Sequence, residues 1–284
     1  MITPGENNKS KTVITPVRSL RAELREIAEQ RQLLWYFVRR NFKVRYKQSL
    51  IGVGWAILQP LILMVVFTLL FNQLAGIEAS QEAPGMPYAV FSYAGLLYWT
   101  YFSQTLSQSS TSLVVYQGVI KKIYFPRLMA PLSTSITGLA DFFFASLIYV
   151  GLLIFYGIAP SLEGVLLFLP MLLLSFVTVF GLGMLLASIN IKYRDVQQAL
   201  PFFIQAGMFI TPVIYPVELV PERFEWVLFL NPMTGVIETA RAGLLELGSI
   251  PWTNLGISIM SATIVFIIGL YFFRRREAEL ADWI

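Results

Sequence analysis

The stretch 164-GVLLFLPMLLLSFVTVFGLGMLLASI-189 contains no charged residue, and it decides the class of this protein. An α-helix rises about 1.5 Å per residue, so about 20 apolar residues are needed to cross the ~30 Å hydrocarbon core of a bilayer. This stretch exceeds that length. It therefore predicts a transmembrane helix in an all-α integral membrane protein.

Further apolar stretches lie on both sides of it. Together they predict six spans, at about 51–73, 88–116, 131–156, 164–189, 196–215 and 255–273. The composition agrees, because 56% of the residues are hydrophobic and only 13% are charged, against about 25% charged residues in a soluble domain. Mean hydropathy is +0.65. These values exclude an ordinary soluble enzyme and a disordered chain.

The Lys and Arg residues alternate between the two sides of the predicted spans. Residues 1–50 hold eleven of them, whereas the connection after the first span holds none. The later connections continue the alternation, so the positive-inside rule places both termini in the cytoplasm, as an even number of spans requires. We expect no cleavable signal peptide, because residues 1–30 lack a long apolar run.

The predicted organisation has four parts. They are a cytoplasmic N-terminal extension (1–32), an amphipathic interfacial helix (33–50), the six-span domain (51–273) and a cytoplasmic tail (274–284). On the interfacial helix an apolar face is formed by Leu34, Val38, Phe42 and Tyr46, and a cationic face by Arg39, Arg40, Lys43 and Lys47. Arg45 departs from the pattern and falls on the apolar side. Two interpretations stay open: an anchor for anionic lipid, or the border of a pathway that attracts an anionic substrate head.

Residues 216–252 are long for an outer loop and contain two short apolar stretches between prolines. Neither stretch can span a bilayer. They predict two short re-entrant helices before the last span, with a helical hairpin on the outer surface as the alternative. Glu238 and Arg241, three residues apart, are expected to form a structural ion pair.

Residues that carry chemistry are scarce in this sequence. Cys and His are absent, and Asp occurs only three times. No Lys follows a Gly, which excludes a nucleotide-binding loop of the Walker type. We therefore expect no catalytic, cofactor or metal site, no nucleic-acid partner, and a transporter that takes its energy from another polypeptide. Asp141 is the only acid inside a predicted span, and it is expected to be packed or paired with a nearby cation.

The connection 109–127 is the best candidate for docking that energy-supplying partner. Its beginning is too polar for lipid, yet its end is too apolar for a solvated loop, and exposed apolar patches of this kind mark protein contacts. An ordinary elbow at the membrane surface is the alternative.

Five motifs in order resemble the membrane permease subunit of ABC-type polysaccharide exporters, which move O-antigen, capsule or teichoic acid chains. They are 45-RYKQSLIGVGW-55 with 59-QP-60, 120-IKKIYFPR-127, 192-KYRD-195, 231-NPMT-234 and 279-ELADWI-284. The resemblance implies a homodimer in the bacterial inner membrane, surrounded by membrane lipids, with a lipid-linked polysaccharide as cargo. It also implies two nucleotide-binding ABC subunits, which would hold the ATP and Mg.

The resemblance further implies roles for single residues. Docking of the ATP-binding subunit would fall to Gly118, Lys121, Lys122, Tyr124, Phe125, Pro126, Arg127, Lys192, Arg194 and Asp195. Gating and substrate access would fall to Arg39, Arg40, Lys43, Arg45, Tyr46 and Lys47. The turn between the re-entrant helices would lie at Asn231 and Pro232.

Aromatic residues are concentrated in the second predicted span. Because aromatic faces can stack on sugar rings, we expect path-lining residues among Tyr93, Tyr98, Trp99, Tyr101 and Phe102. An aromatic belt at the outer interface, with lipid-facing Phe, is the alternative. Other functional hypotheses are an ABC permease for a drug or lipid, a membrane enzyme of glycan assembly, and an ion-coupled flippase.

Overall fold

The computed structural model describes residues 20–47, 49–79 and 85–277. Within these ranges every regular element is a helix. Most of the predicted N-terminal extension and the tail motif 279–284 lie outside the described residues. The α-helices of the described part are α1 (Leu20–Glu29), α2 (Arg31–Tyr46), α3 (Gly54–Phe67), α4 (Tyr88–Val115), α5 (Gln117–Ile120), α6 (Met129–Phe155), α7 (Leu162–Asn190), α8 (Val196–Ile210), α9 (Glu222–Leu228), α10 (Pro232–Leu245) and α11 (Trp252–Glu277).

Four helices of the described residues are long and apolar enough to cross a membrane. They are α6, α7, α11, and α3 together with the π-helical segment Thr68–Leu74 that continues it. Helix α8 is apolar but has only 15 residues. Helix α4 has 28 residues, but Ser and Gln make its second half polar. Helices thus stand at all six predicted positions, while crossing by α4 and α8 stays a prediction.

Helix α8 and the interfacial helix differ from the sequence prediction in where they end. The fifth span was expected to reach residue 215, but α8 ends at Ile210. Thr211 has an extended backbone (φ −79°, ψ 137°), which is the conformation favoured before a proline such as Pro212. The interfacial helix, expected over 33–50, runs as α2 from Arg31 to Tyr46.

Helix α4 lies at the centre of the bundle, packed against α3, α6, α7, α8 and α10. All residues from Tyr88 to Phe102 are buried. The half-exposed polar residues of α4 all lie in its second half, after Phe102.

Helix α7 packs closely against α11 and α10 through glycines. A Cβ atom at Gly269 of α11 would overlap the carbonyl oxygen of Gly181 on α7, and Gly164 of α7 meets the backbone of Gly243 on α10 in the same way. Small residues at such crossings let helix backbones approach and gain dispersion contacts.

Helix α10 is buried among α4, α7 and α11, with only Glu238 less than fully buried. Its N-terminus is capped by Asn231, whose side chain accepts a hydrogen bond from the Met233 amide at 3.1 Å and donates to the Thr211 hydroxyl at 2.7 Å. Pro232 occupies the first helical turn, where its missing N–H costs nothing. Two helices, α9 and α10, thus stand where re-entrant helices were predicted, while their insertion into the bilayer stays a prediction.

Candidate functional site

One end of the bundle, here called the basic end, gathers α1, α2, α5 and the C-terminal part of α11. Arg127 donates to the carbonyl of Glu277 at the end of α11. Arg276 of α11 donates to the carbonyl of Ser188 on α7 at 3.4 Å, and Arg274 lies 4.0 Å from the Glu23 carboxylate on α1. These contacts place both predicted docking segments at the same end as the interfacial helix.

Helix α2 is held on the bundle by a buried aromatic side chain. Phe37 is 2% exposed, and its ring centroid lies 4.7 Å from that of Tyr116 and 5.1 Å from that of Phe125. Beside it the Tyr116 hydroxyl donates to the Asn41 side chain at 2.8 Å, and Asn41 donates to the Ser133 hydroxyl at 3.3 Å. Helix α2 is therefore attached to both α6 and the end of α4.

The C-terminal end of α2 carries an ion pair. Arg45 pairs with Asp141 of α6 and also donates to Gln108 of α4, and the Tyr46 hydroxyl donates to the same carboxylate. Burial lowers the pKa of Arg45 and raises the pKa of the Tyr46 hydroxyl, yet the guanidinium stays charged at neutral pH. The expectation that Asp141 pairs with a nearby cation is confirmed, and the pair explains why Arg45 lies on the apolar side of the helical wheel.

The cations predicted on one face of α2 are divided between two concave surfaces. Arg39 and Lys43 line an apolar groove of about 650 Å³ between α2 and α6, together with Trp35, Val38, Phe42, Ile136 and Leu139. Arg39 and Lys43 are exposed, as is Lys47 beyond the helix. The groove is therefore apolar inside and cationic along one side.

On the other side of α2 lies a second concave surface, here called the polar cavity. It has a volume of about 240 Å³ and lies between α2, α4 and α6. Its polar lining includes Arg40, Asn41, Arg45, Gln108, Ser112 and Tyr116, and none of the described residues that line it is acidic. The Arg40 guanidinium lies over the Tyr116 ring, 4.8 Å from its centroid.

The predicted docking residues differ in their accessibility. Phe125 and Pro126 are buried within this chain, and Arg127 is half-buried. Two segments are exposed, and they contain Gly118, Lys121, Lys122 and Tyr124 in one and Lys192, Arg194 and Asp195 in the other. Phe125 thus joins the first segment to α2 rather than offering a surface to a partner.

The aromatic residues of α4 are buried in the core of the single chain. The hydroxyl of Tyr93 donates to the Ala145 carbonyl at 3.0 Å, that of Tyr98 to Phe168 at 3.2 Å, and that of Tyr101 to Ser135 at 3.3 Å. Trp99 and Phe102 are 5% and 8% exposed. These side chains fasten α4 to its neighbours, and their part in a pathway stays a prediction.

At the opposite end, Arg241 of α10 is 1% exposed and has several acceptors. It donates to the carbonyls of Phe91 (3.2 Å), Pro212 (2.6 Å) and Val213, and to the Glu238 carboxylate (2.8 Å). The predicted pair of Glu238 and Arg241 is confirmed. The guanidinium ties α10 to α4 and to the segment after α8.

Sequence reasoning missed the buried role of Phe37 and the unequal surroundings of Arg39 and Arg40. The position of Arg45 on the apolar side of α2 was the one signal that this part of the helix contacts polar protein groups. No comparable signal separates Arg39 from Arg40, because both lie on the polar face of the helix in projection.

The chain is similar in sequence to one transporter family and to several bacterial export and transport proteins. Residues 32–245 match the ABC-2 type transporter family. The chain is 27% identical over 251 residues to an O-antigen export system permease protein RfbA of Klebsiella pneumoniae, covering 88% of this chain and 94% of that protein. It is 28% identical over 263 residues to RfbA of Myxococcus xanthus (91% and 98%) and 23% identical over 245 residues to the polysialic acid transport protein KpsM of Escherichia coli (85% and 92%).

Proposed function

This chain belongs to the ABC-2 type transporter family, and from that premise we propose that it is the membrane permease of an ABC exporter for polysaccharide. The cargo would be lipid-linked and would cross the bacterial inner membrane. The observation that carries the proposal is the similarity to O-antigen export permeases along most of both chains. Similarity to a polysialic acid transport protein widens the support from one glycan to polysaccharides as a class.

The energy would come from a separate ATP-binding subunit. No Lys follows a Gly in this sequence, so we assign the Walker-type loop to another polypeptide. The proposed assembly pairs two copies of this chain with two ATP-binding subunits, which hold the ATP and Mg.

The basic end would face the cytoplasm and receive those subunits. This orientation follows from the distribution of Lys and Arg and puts both termini inside the cell. The exposed parts of segments 118–124 and 192–195 would form the docking surface. Because Phe125 contacts Phe37, a displacement of the first segment would be passed directly to α2.

The polar half of α4 would face the path between the two copies. Its half-exposed side chains share one side of the helix, and they are Ser103, Gln104, Ser107, Gln108 and Thr111. Gln104 donates to Gln59 of α3 at 2.7 Å. Polar groups are costly against lipid, whereas neutral amides and hydroxyls can bind sugar hydroxyls without holding them tightly. The aromatic side chains of α4 would become part of this surface only when the spans of the two copies move apart.

The mechanism then has a simple order. ATP-driven closure of the two partner subunits moves the docking segments, α2 shifts with them, and the spans of the two copies tilt apart. The cations of α2 that line the polar cavity attract the anionic head of the cargo to the opening.

Inside-out vesicles that contain this chain and its ATP-binding subunit test the proposal. We expect lipid-linked glycan to enter the vesicle lumen with ATP, and not with a partner variant that binds ATP without hydrolysing it. The comparison cargoes are a fluorescent phospholipid and a hydrophobic drug. Transport of those cargoes without glycan, or glycan transport by this chain alone, would contradict the proposal.

The docking surface has its own test, based on Ile123 and Lys121, which are both exposed. We expect Ile123→Glu with Lys121→Glu to abolish co-purification of the ATP-binding subunit. Arg223→Glu, an exposed cation on α9 at the other end of the bundle, is the matched control and should leave co-purification intact. Equal co-purification of both variants would refute the assigned surface.

A further inference from the structure

The polar cavity contains a positive charge that no described residue neutralises. Arg45 is paired with Asp141, but Arg40 makes no ion pair within the part of the chain that the structure describes. The Nη1 atom of Arg40 is buried without a hydrogen-bond partner among those residues. Burying a charged donor without an acceptor is costly, so this geometry indicates a place for an anion.

A second polar atom in the same cavity also lacks a partner. Ser112 of α4 is 2% exposed, and its hydroxyl makes no hydrogen bond within the described ranges. The neighbouring polar groups are already engaged, because Tyr116 donates to Asn41 and Asn41 donates to Ser133. Among the described residues, a cationic group and a hydroxyl therefore remain unpartnered in a cavity of about 240 Å³, and none of its described lining residues carries a carboxylate.

Phosphate oxygens suit such a pair of groups. A guanidinium forms short, charge-assisted hydrogen bonds to phosphate, and a hydroxyl can donate to a further oxygen of the same group. The Tyr116 ring, 4.8 Å from the Arg40 guanidinium, holds that side chain in place by a cation–π contact.

We propose that the polar cavity binds a phosphate or pyrophosphate group, with Arg40 and Ser112 as its direct ligands. Arg45 positions α2 through its pair with Asp141 instead of contacting the anion. Resting on the proposed function, this inference gives the diphosphate of a lipid-linked glycan a defined place beside α2. Arg39, on the other side of α2 in the apolar groove, takes no part in binding the phosphate.

Binding is measured on the purified full chain at low ionic strength, in two arms. Calorimetry in neutral detergent uses inorganic pyrophosphate as the free anion, and native mass spectrometry counts phosphatidylglycerol retained from nanodiscs as the lipid source. We expect Arg40→Gln to weaken binding at least about tenfold and Ser112→Ala about threefold. Arg39→Gln, the matched control with the same charge change, should leave the affinity unchanged.

Ser112→Ala removes a hydroxyl that has no hydrogen-bond partner among the described residues, so this variant should fold normally. It keeps the inference testable if Arg40→Gln does not fold. Dependence on Arg40 in the lipid arm alone would support the site with a phospholipid headgroup as its source. The proposal is overturned if neither arm depends on Arg40 and Ser112, or if Arg39→Gln weakens binding as much as Arg40→Gln. If the wild-type pair exports glycan while binding is independent of Arg40, only this inference fails. If the pair exports none, the proposed function fails whatever the binding result.

Discussion

Arg45 at the end of α2 forms an ion pair with Asp141 in the interior of α6, and Tyr46 donates to the same carboxylate. The Arg45 and Asp141 side chains are 17% and 10% exposed. The pair therefore fastens the C-terminal end of the interfacial helix to the bundle. It also means that Arg45 already has a counter-ion within the chain.

Asp141→Ala should destabilise the protein by about 3 kcal/mol. The substitution leaves the Arg45 charge buried without a partner, and breaking a buried pair from one side costs about that much. The measurement is the midpoint of thermal unfolding in detergent. Trypsin cleavage at Lys43 should accelerate as α2 detaches.

Asp195→Ala is the matched control, since Asp195 is exposed in the loop before α8, and it should leave the midpoint unchanged. The double variant Arg45→Gln with Asp141→Asn should regain part of the lost stability, because it buries no unpaired charge. Equal midpoints for Asp141→Ala and Asp195→Ala would show that the pair does not hold α2.

The positions of the helices could be predicted from the sequence because apolar length and charge distribution are local properties. The end of α8 before Pro212 was not foreseen, although the restriction that proline imposes on Thr211 is itself local. Which groups α2 faces could not be predicted in the same way. Arg39 and Arg40 are neighbours with equal charge. Only the packing of α2 on α4 and α6 places Arg39 at the apolar groove and Arg40 at the polar cavity.

Gly269→Ala should lower stability by about 1–3 kcal/mol. The new methyl group would overlap the Gly181 carbonyl oxygen and force α11 away from α7, and overpacking of this kind costs about that amount. Gly256→Ala on the same helix is the control, because its Cβ would meet no atom within 4 Å among the described residues. It should be neutral or slightly stabilising. Unfolding midpoints in detergent that fall equally for both variants would contradict the close crossing.

Arg241→Lys should destabilise the protein by about 3 kcal/mol, although it preserves the charge. The guanidinium reaches three carbonyls and a carboxylate from one planar group, and it lies 3.7 Å from the Phe91 ring centroid. A lysine ammonium cannot reproduce this geometry, and each carbonyl left unpaired in the interior adds to the loss.

Glu238→Gln should cost less than Arg241→Lys, because the amide still accepts from Arg241. Arg223→Lys, on the surface of α9, should leave the protein unchanged. The comparison uses thermal midpoints and the yield of monodisperse protein. A tolerated Arg241→Lys would mean that charge alone, without the planar geometry, suffices at this position.

The α4 aromatics show why composition alone could not assign a pathway. An aromatic ring with a hydroxyl can stack on a sugar, but it can equally pack in a core when a backbone carbonyl accepts from the hydroxyl. Tyr93, Tyr98 and Tyr101 each have such a carbonyl. Sequence spacing does not tell these two environments apart, since it does not say which helices surround α4.

Phe37→Ala should both destabilise the protein and separate ATP hydrolysis from transport. Phe37 is 2% exposed and connects α2 with Phe125 of the docking segment. Its removal should leave a cavity and lower the free energy of unfolding by about 3–4 kcal/mol. If α2 follows the docking segment through this contact, the ATP-binding subunit should still hydrolyse ATP while glycan export falls. Trp35→Ala, on the same helix but 53% exposed, is the control for stability. The measurement is ATP hydrolysed per glycan exported in vesicles, and an unchanged ratio in a folded Phe37→Ala variant would show that α2 is not moved through this contact.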